Sequence, residues 1–121
     1  MNKKFSISAR LKSFKFAFAG IKEVMFYQHN ARVHLLVAVF AVLMGWLLHI
    51  SSIEWCFIVL AIGLVLFAEA VNTAIEHFVD LVSPEHQALA GKIKDIAAGA
   101  VLICAITALV IGLIIFLPKL G

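Results

Sequence analysis

The sequence predicts an all-α membrane protein, with three transmembrane helices and an N-terminal amphipathic surface helix in one domain over residues 1–121. Two observations carry this expectation. The chain is 64% hydrophobic and 14% charged, far from the soluble average of about 45–50% apolar and about 25% charged. Its apolar residues also fall in long runs. Ile53 to Ala68 is interrupted only by Glu54, and Ile96 to Leu117 has no charge, which meets the ~20 residues a bilayer crossing requires.

The first element is a surface helix over 5–26. Phe5, Leu11, Phe14, Phe18, Ile21 and Met25 recur at helical spacing, while Arg10, Lys12, Lys15 and Lys22 supply a polar side, the pattern of a helix lying in the membrane interface. The first span follows at 31–50; its run from Val33 to Ile50 is short but suffices with its flanks. No small-residue cleavage site follows that span, so no cleavable signal is expected. The second span covers 53–76. Ser83-Pro84-Glu85 then reads as a turn leading into a helix start, with Pro84 able to take the first helical position. The third span covers 95–117 and opens with the small residues Ala97-Ala98-Gly99-Ala100, which permit close helix approach in lipid.

Lysine and arginine set the orientation. Lys3, Lys4, Arg10, Lys12, Lys15, Lys22 and Arg32 lie before or at the start of the first span, Lys92 and Lys94 lie between spans two and three, and Lys119 alone is on the other side. The positive-inside rule then places the N-terminus and the second loop in the cytoplasm of a multi-pass protein of the cytoplasmic (inner) cell membrane. The formal charge of +3 sits mostly in the N-terminal segment. That distribution suits a membrane surface, and no nucleic-acid-binding motif is present.

The end of span two carries the chemistry. At about 100° per residue with Glu69 as zero, Glu76 falls near −20°, Asp80 near +20° and Asn72 near −60°, so all four share one face. Ionisable groups at membrane depth cost at least ~2.5–3.5 kcal/mol and persist where they face protein or perform a task. Such a stripe can bind a divalent cation, hold one carboxylate as a base, or form a proton path. Lys94 and Asp95, opposite charges at the start of span three, suit either a phosphate and its metal or an interfacial ion pair.

Other residues say less. Cys56 and Cys104 lack ligand spacing and read as buried small apolar side chains. His29, His34, His49, His77 and His86 are scattered, with His77 read as a flanking interfacial residue beside Glu76. There is no Ser/His/Asp arrangement, GxGxxG or GxxxxGK[ST] loop.

EAVNTAIEHFVD at 69–80 and KIKDIAAGA at 92–100, with RLKSFKFAFAGIK at 10–22 and QHNARVH at 28–34, resemble the small prokaryotic integral-membrane lipid kinases, the diacylglycerol kinase and undecaprenol kinase family. The resemblance covers nearly the whole chain. It implies a homotrimer with active sites shared between subunits at the cytoplasmic interface, transferring the γ-phosphoryl group of MgATP to a lipid hydroxyl. By position it makes Glu69 the catalytic base and Asn72 its supporting amide. It makes Glu76 a metal-binding carboxylate at the nucleotide, Lys94 a phosphate ligand, Asp95 an organiser of the nucleotide site, and Arg10 an approach to the nucleotide phosphates. Asn30 and Arg32 lie in the motif before span one and, like Asp80, are expected to support the substrate or the site. Two departures stand out: Gln28 replaces a glutamate that helps hold Mg²⁺, and Phe16 replaces a frequent tyrosine.

The expected mechanism follows. Mg²⁺ held by Glu76 and Gln28 bridges the ATP phosphates, Lys94 stabilises the transferred group, and Glu69, about two turns deeper, accepts the proton of a lipid hydroxyl. The forms NARVH and NTAIE favour undecaprenol over diacylglycerol as acceptor. A small proton-coupled membrane transporter is the alternative from another class, but it would not require Lys94 and Asp95 beside the stripe. A structural subunit leaves the costly stripe unexplained. Because three helices barely enclose a nucleotide site and a lipid entrance, the stripe is expected to be covered by a neighbouring chain.

Overall fold

The computed structural model describes residues 4–85 and 87–121; Lys3 and His86, used above, lie outside them. The described residues form four helices and no strand: α1 Ile7–Tyr27, α2 His29–Leu47, α3 Ser52–Val82 and α4 Ala88–Leu120. The last three are long and apolar enough to cross a membrane.

Local chemistry sets most boundaries. Ser6 caps α1, its hydroxyl accepting from the Ala9 N–H at 3.3 Å, which satisfies one of the orphan donors of a helix start. Gln28, extended at φ −104° and ψ 114°, ends α1 and begins α2. This single-residue break turns the surface helix into the first span and fixes where the Gln28 side chain emerges. At the other end of α2, His49 takes the left-handed φ of 52°, a region in which histidine is enriched among non-glycine residues. Ser51 then begins α3 with a capping box: its hydroxyl accepts from the Glu54 N–H at 3.2 Å, and its own N–H donates to Glu54 Oε1 at 2.9 Å.

The α3–α4 hairpin is the main packing unit. On α3 the buried positions Ile58, Ala61, Val65, Ala68 and Asn72 recur every three or four residues, one continuous face that is apolar first and polar later. On α4, Ala97, Val101 and Ile115 are buried. Ile50, Ile58 and Ile115 form a small core with Trp55, Ile62 and Phe116 at the end of the molecule away from the polar stripe. There Lys119 Nζ lies 3.3 Å from Glu54 Oε1 and ties the end of α4 to the start of α3. α2 packs on α3, and α1 lies across the polar ends of α2 and α3. Large apolar side chains such as Leu36, Phe40, Leu60, Phe67, Ile103 and Ile114 stay exposed on the chain's outer surface, as suits helices whose solvent is lipid.

The 31 residues of α3 span about 46 Å at ~1.5 Å rise, well beyond a ~30 Å hydrocarbon core. Its last turns therefore carry the polar stripe out to the interface.

Several expectations need correction. Pro84 does not start a helix; it lies in the link after α3, and α4 begins at Ala88. Proline just past a helix end is a usual stop signal, so Lys92, Lys94 and Asp95 stand inside α4 after its first turns. Of the small-residue run, Ala97 is buried, but a Cβ on Gly99 would meet nothing within 4 Å. The close approach is instead at Gly45, where a Cβ would lie 2.9 Å from Trp55 Cη2 and 3.0 Å from Ile50 Cδ1. Cys56 is exposed and Cys104 half-buried, so within one chain neither is a core residue. Phe5, Leu11, Phe14, Phe18 and Ile21 are exposed and only Val24 of α1 is buried; the surface helix leaves its apolar residues to the membrane.

Candidate functional site

The face of α3 that is apolar from Ile58 to Ala68 becomes polar at Glu69, and it remains buried there. Glu69 is 1% exposed, Thr73 2% and Asn72 6%. Thr73 donates its hydroxyl to the Glu69 carbonyl at 2.9 Å, so it satisfies itself within the helix. The Glu69 carboxylate has a different neighbour. His34 Nε2 of α2 lies 3.3 Å from Glu69 Oε1, but the atoms lack hydrogen-bond alignment. Glu69 Oε1 and Asn72 Oδ1 are both buried acceptors without a hydrogen-bond donor among the described residues.

One turn further toward the polar end, Glu76 gathers two amides. Gln28 Nε2 donates to Glu76 Oε2 at 2.9 Å and Asn72 Nδ2 donates to Glu76 Oε1 at 3.2 Å. The break at Gln28 and the length of α3 thus bring residues 48 positions apart into contact. Beyond them, Asp80 Oδ1 lies 2.6 Å from Lys94 Nζ, an exposed pair joining α3 to α4. Two further contacts seat α1: His77 Nε2 is 3.6 Å from Glu23 Oε1, and the Tyr27 and His77 rings lie 4.4 Å apart.

The structure therefore places Gln28, Glu69, Asn72 and Glu76 along one stripe, buried at Glu69 and Asn72 and half-buried at Gln28 and Glu76. Lys94 pairs with Asp80 of the preceding helix, not with its neighbour Asp95, which is exposed. Arg10 and Asn30 are exposed, and Arg32 folds back so that its Nη2 reaches the Phe26 carbonyl at 3.4 Å and His29 Nδ1 at 3.0 Å. Neither Arg10 nor Asp95 converges on Glu69 within one chain.

Sequence reasoning passed over His34 and Thr73. A signal for His34 existed, since a histidine inside an apolar span is itself costly and marks a functional position. Thr73 carried none, being neutral and of small size.

Among the described residues no three His, Cys, Asp or Glu side chains converge as a metal cage. What is present is one carboxylate flanked by amides, a hard oxygen donor set that can take Mg²⁺ only with oxygens supplied by a ligand. A buried carboxylate with an unpartnered oxygen, on the same helical face as such a set, is equipped to accept a proton from a bound hydroxyl.

Residues 15–116 match the family described as prokaryotic diacylglycerol kinase. The chain is 46% identical over 109 residues to the undecaprenol kinase of Bacillus subtilis (strain 168), covering 90% of this chain and 89% of that protein. It is 40% identical over 111 residues to the diacylglycerol kinase of Synechocystis sp., covering 91% of this chain and 63% of that one. Against the diacylglycerol kinase of Escherichia coli (strain K12) the identity is 32% over 103 residues, 85% of this chain and 80% of that one.

Proposed function

The chain belongs to the prokaryotic diacylglycerol kinase family and is a multi-pass membrane lipid kinase; from that premise we propose that it phosphorylates undecaprenol at the cytoplasmic face of the membrane with ATP and Mg²⁺. The observation that carries the reading is Glu69, 1% exposed with Oε1 unpartnered, on the same helical face as the Gln28–Asn72–Glu76 cluster. The similarity to an undecaprenol kinase favours the polyprenol as acceptor, and diacylglycerol is the second choice.

The residues present fit the cation. Mg²⁺ is commonly held by one or two carboxylates together with substrate phosphates. Glu76 supplies the charge and Gln28 an amide whose oxygen is left over from its contact with Glu76. When bound, the cation neutralises negative charge on the phosphates.

The chain's own groups do the rest. Glu69 Oε1 takes the proton of the lipid hydroxyl as the hydroxyl oxygen bonds to the γ-phosphorus, and the bond from that phosphorus to the β–γ bridging oxygen breaks to release ADP. Burial of Glu69 excludes water as a competing acceptor. Asn72, hydrogen-bonded to Glu76, holds the two carboxylates in register. Lys94, oriented by Asp80, presents its ammonium to the phosphates, and Asp95 and Arg10 organise the nucleotide from neighbouring positions. Arg32, bonded to the Phe26 carbonyl and His29, ties down the α1–α2 junction that places Gln28, with Asn30 exposed beside it.

The cytoplasmic placement rests on Lys4, Arg10, Lys12, Lys15, Lys22, Arg32, Lys92 and Lys94 on the stripe side against Lys119 on the other. A homotrimer with composite sites completes the reading. One chain buries Glu69 and Asn72 by itself, whereas Arg10 and Asp95 are exposed on α1 and α4 and would serve the site of a neighbouring subunit. The deciding assay offers purified protein MgATP with undecaprenol and diacylglycerol in competition. Phosphorylated undecaprenol as the main product supports the reading, and phosphatidic acid alone would transfer it to the second acceptor.

A further inference from the structure

Gln28 is the single residue between α1 and α2, its own N–H held by the Val24 carbonyl at 2.9 Å. It stands at the N-terminal cap position of α2, yet its side chain makes no capping bond there. Instead Nε2 crosses to α3 and donates to Glu76 Oε2 at 2.9 Å, while Asn72 Nδ2 donates to Glu76 Oε1 at 3.2 Å. Each oxygen of the carboxylate therefore already holds an amide hydrogen. An ionised carboxylate only accepts, so both amides turn their nitrogens toward Glu76 and their oxygens away from it. The consequence is visible at Asn72, whose Oδ1 is buried with no donor among the described residues.

A divalent cation needs the opposite arrangement. Mg²⁺ takes oxygen ligands, gives up its water reluctantly and is usually held by one or two carboxylates together with substrate phosphates. Between Gln28 and Glu76 it would meet an N–H. The charge on offer is also small: Asp80 is taken up by Lys94 at 2.6 Å, Asp95 is exposed on α4, and among the described residues no three His, Cys, Asp or Glu side chains converge. A lone carboxylate with both oxygens engaged is a poor site for a strongly hydrated ion. Carboxylates at both positions 28 and 76 would behave in the reverse way, repelling each other when empty and relieved by a cation.

We infer that Gln28 gates the cation: without nucleotide its amide occupies Glu76 and closes it to free divalent ions, so that Mg²⁺ enters only together with the phosphates of ATP. The inference rests on the lipid kinase reading and adds the order in which the site fills. Phosphate oxygens supply the charge that Glu76 alone lacks, and the terminal torsion of a glutamine is soft, so the Gln28 amide can exchange its N–H for its oxygen when the nucleotide arrives. The resting enzyme accordingly holds no cation at Glu76. Its occupancy follows the concentration of the MgATP complex and not that of free Mg²⁺.

The test titrates Mn²⁺, standing in for Mg²⁺, into the full-length protein in detergent and follows the electron paramagnetic resonance signal of the free ion, which falls on binding. Without nucleotide, Gln28→Glu should bind Mn²⁺ about 10-fold or more tightly than wild type, because the ligand charge count rises by one. A second change, Glu76→Gln in the Gln28→Glu background, should abolish that gain and so locate the ion. Adding a non-hydrolysable ATP analogue should bring Mn²⁺ onto the wild type and narrow its difference from Gln28→Glu to a few-fold. Equal nucleotide-free affinity in wild type and Gln28→Glu would overturn the gate, as would a gain that survives Glu76→Gln. Wild type that binds Mn²⁺ as tightly without the analogue as with it would also overturn the gate, a result that needs no variant to fold. Wild type that binds neither the analogue nor Mn²⁺ in its presence would instead defeat the ATP-dependent kinase reading from which the gate follows.

Discussion

Glu69 and Glu76 are two carboxylates seven residues apart that the structure treats in opposite ways. Glu76 receives amide hydrogens from Gln28 and Asn72 at 2.9 and 3.2 Å, which orient its carboxylate. Glu69 is buried beside a histidine with an oxygen left free. One is placed as an anchor and the other as an acceptor. Glu69→Gln keeps the shape of the side chain and removes its ability to take a proton. Turnover should fall by roughly 100-fold or more while nucleotide binding survives, as single-turnover kinetics beside an ATP-binding titration would show; near-normal turnover would exclude Glu69 as the base. Gln28→Glu makes a sharper case. It replaces a donor to Glu76 with a second carboxylate, so without divalent cation the variant should melt lower than wild type, and Mg²⁺ should raise its melting temperature more than it raises the wild type's. A thermal melt in detergent with and without MgCl₂ distinguishes this from a purely structural glutamine, for which Mg²⁺ would change nothing.

At the scale of elements, the periodic signals in the sequence mapped onto real helices and the non-periodic ones did not. The apolar runs became α2, α3 and α4, and the face assigned to Glu69, Asn72, Glu76 and Asp80 from angle alone is the face along which Gln28, Asn72 and Glu76 make contact. Helix ends were less legible: Pro84 was compatible with either a start or a stop, and only the position of Ala88 as the beginning of α4 decides it. Contacts between distant segments were the least legible. His34 against Glu69 and Lys94 against Asp80 depend on how α2 and α4 lie on α3, which no local spacing encodes. Small residues were a similarly incomplete guide, because Gly99 is open and Gly45 is the tight one. Gly45→Leu should therefore cost about 1–3 kcal/mol through overpacking against Trp55 and Ile50, whereas Gly99→Ala should be neutral or slightly stabilising within a chain. Equilibrium unfolding in mixed micelles would show the contrast, and equal effects at the two glycines would refute it. Ser51→Ala removes the hydroxyl half of the capping box at the start of α3 and should cost about 1 kcal/mol in the same measurement.

At the scale of the whole molecule, a single chain leaves Arg10 and Asp95 turned away from its own stripe. One chain buries Glu69 and Asn72, the deeper part of the stripe, so the cost of polar groups in lipid no longer demands a second copy there. The residues still unaccounted for are cationic and anionic groups that face away: Arg10 on the surface helix and Asp95 on α4, both exposed. If they serve a nucleotide, and if Lys94 is held toward its own chain by Asp80 at 2.6 Å, then Asp95 on the adjacent position of α4 points toward a different subunit's site. The proposed trimer makes this testable by complementation. Glu69→Gln and Asp95→Asn subunits should each be inactive alone. Mixed at equal amounts in a closed ring, a site drawing on two chains has an intact Glu69 and an intact Asp95 in roughly a quarter of cases, so about that share of wild-type activity should return. Mixing must be verified by pulling down one tagged variant and detecting the other. Mixed oligomers that stay inactive would mean that each chain completes its own site, and Asp95 would then have to reach Glu76 across the α3–α4 hairpin of a single subunit.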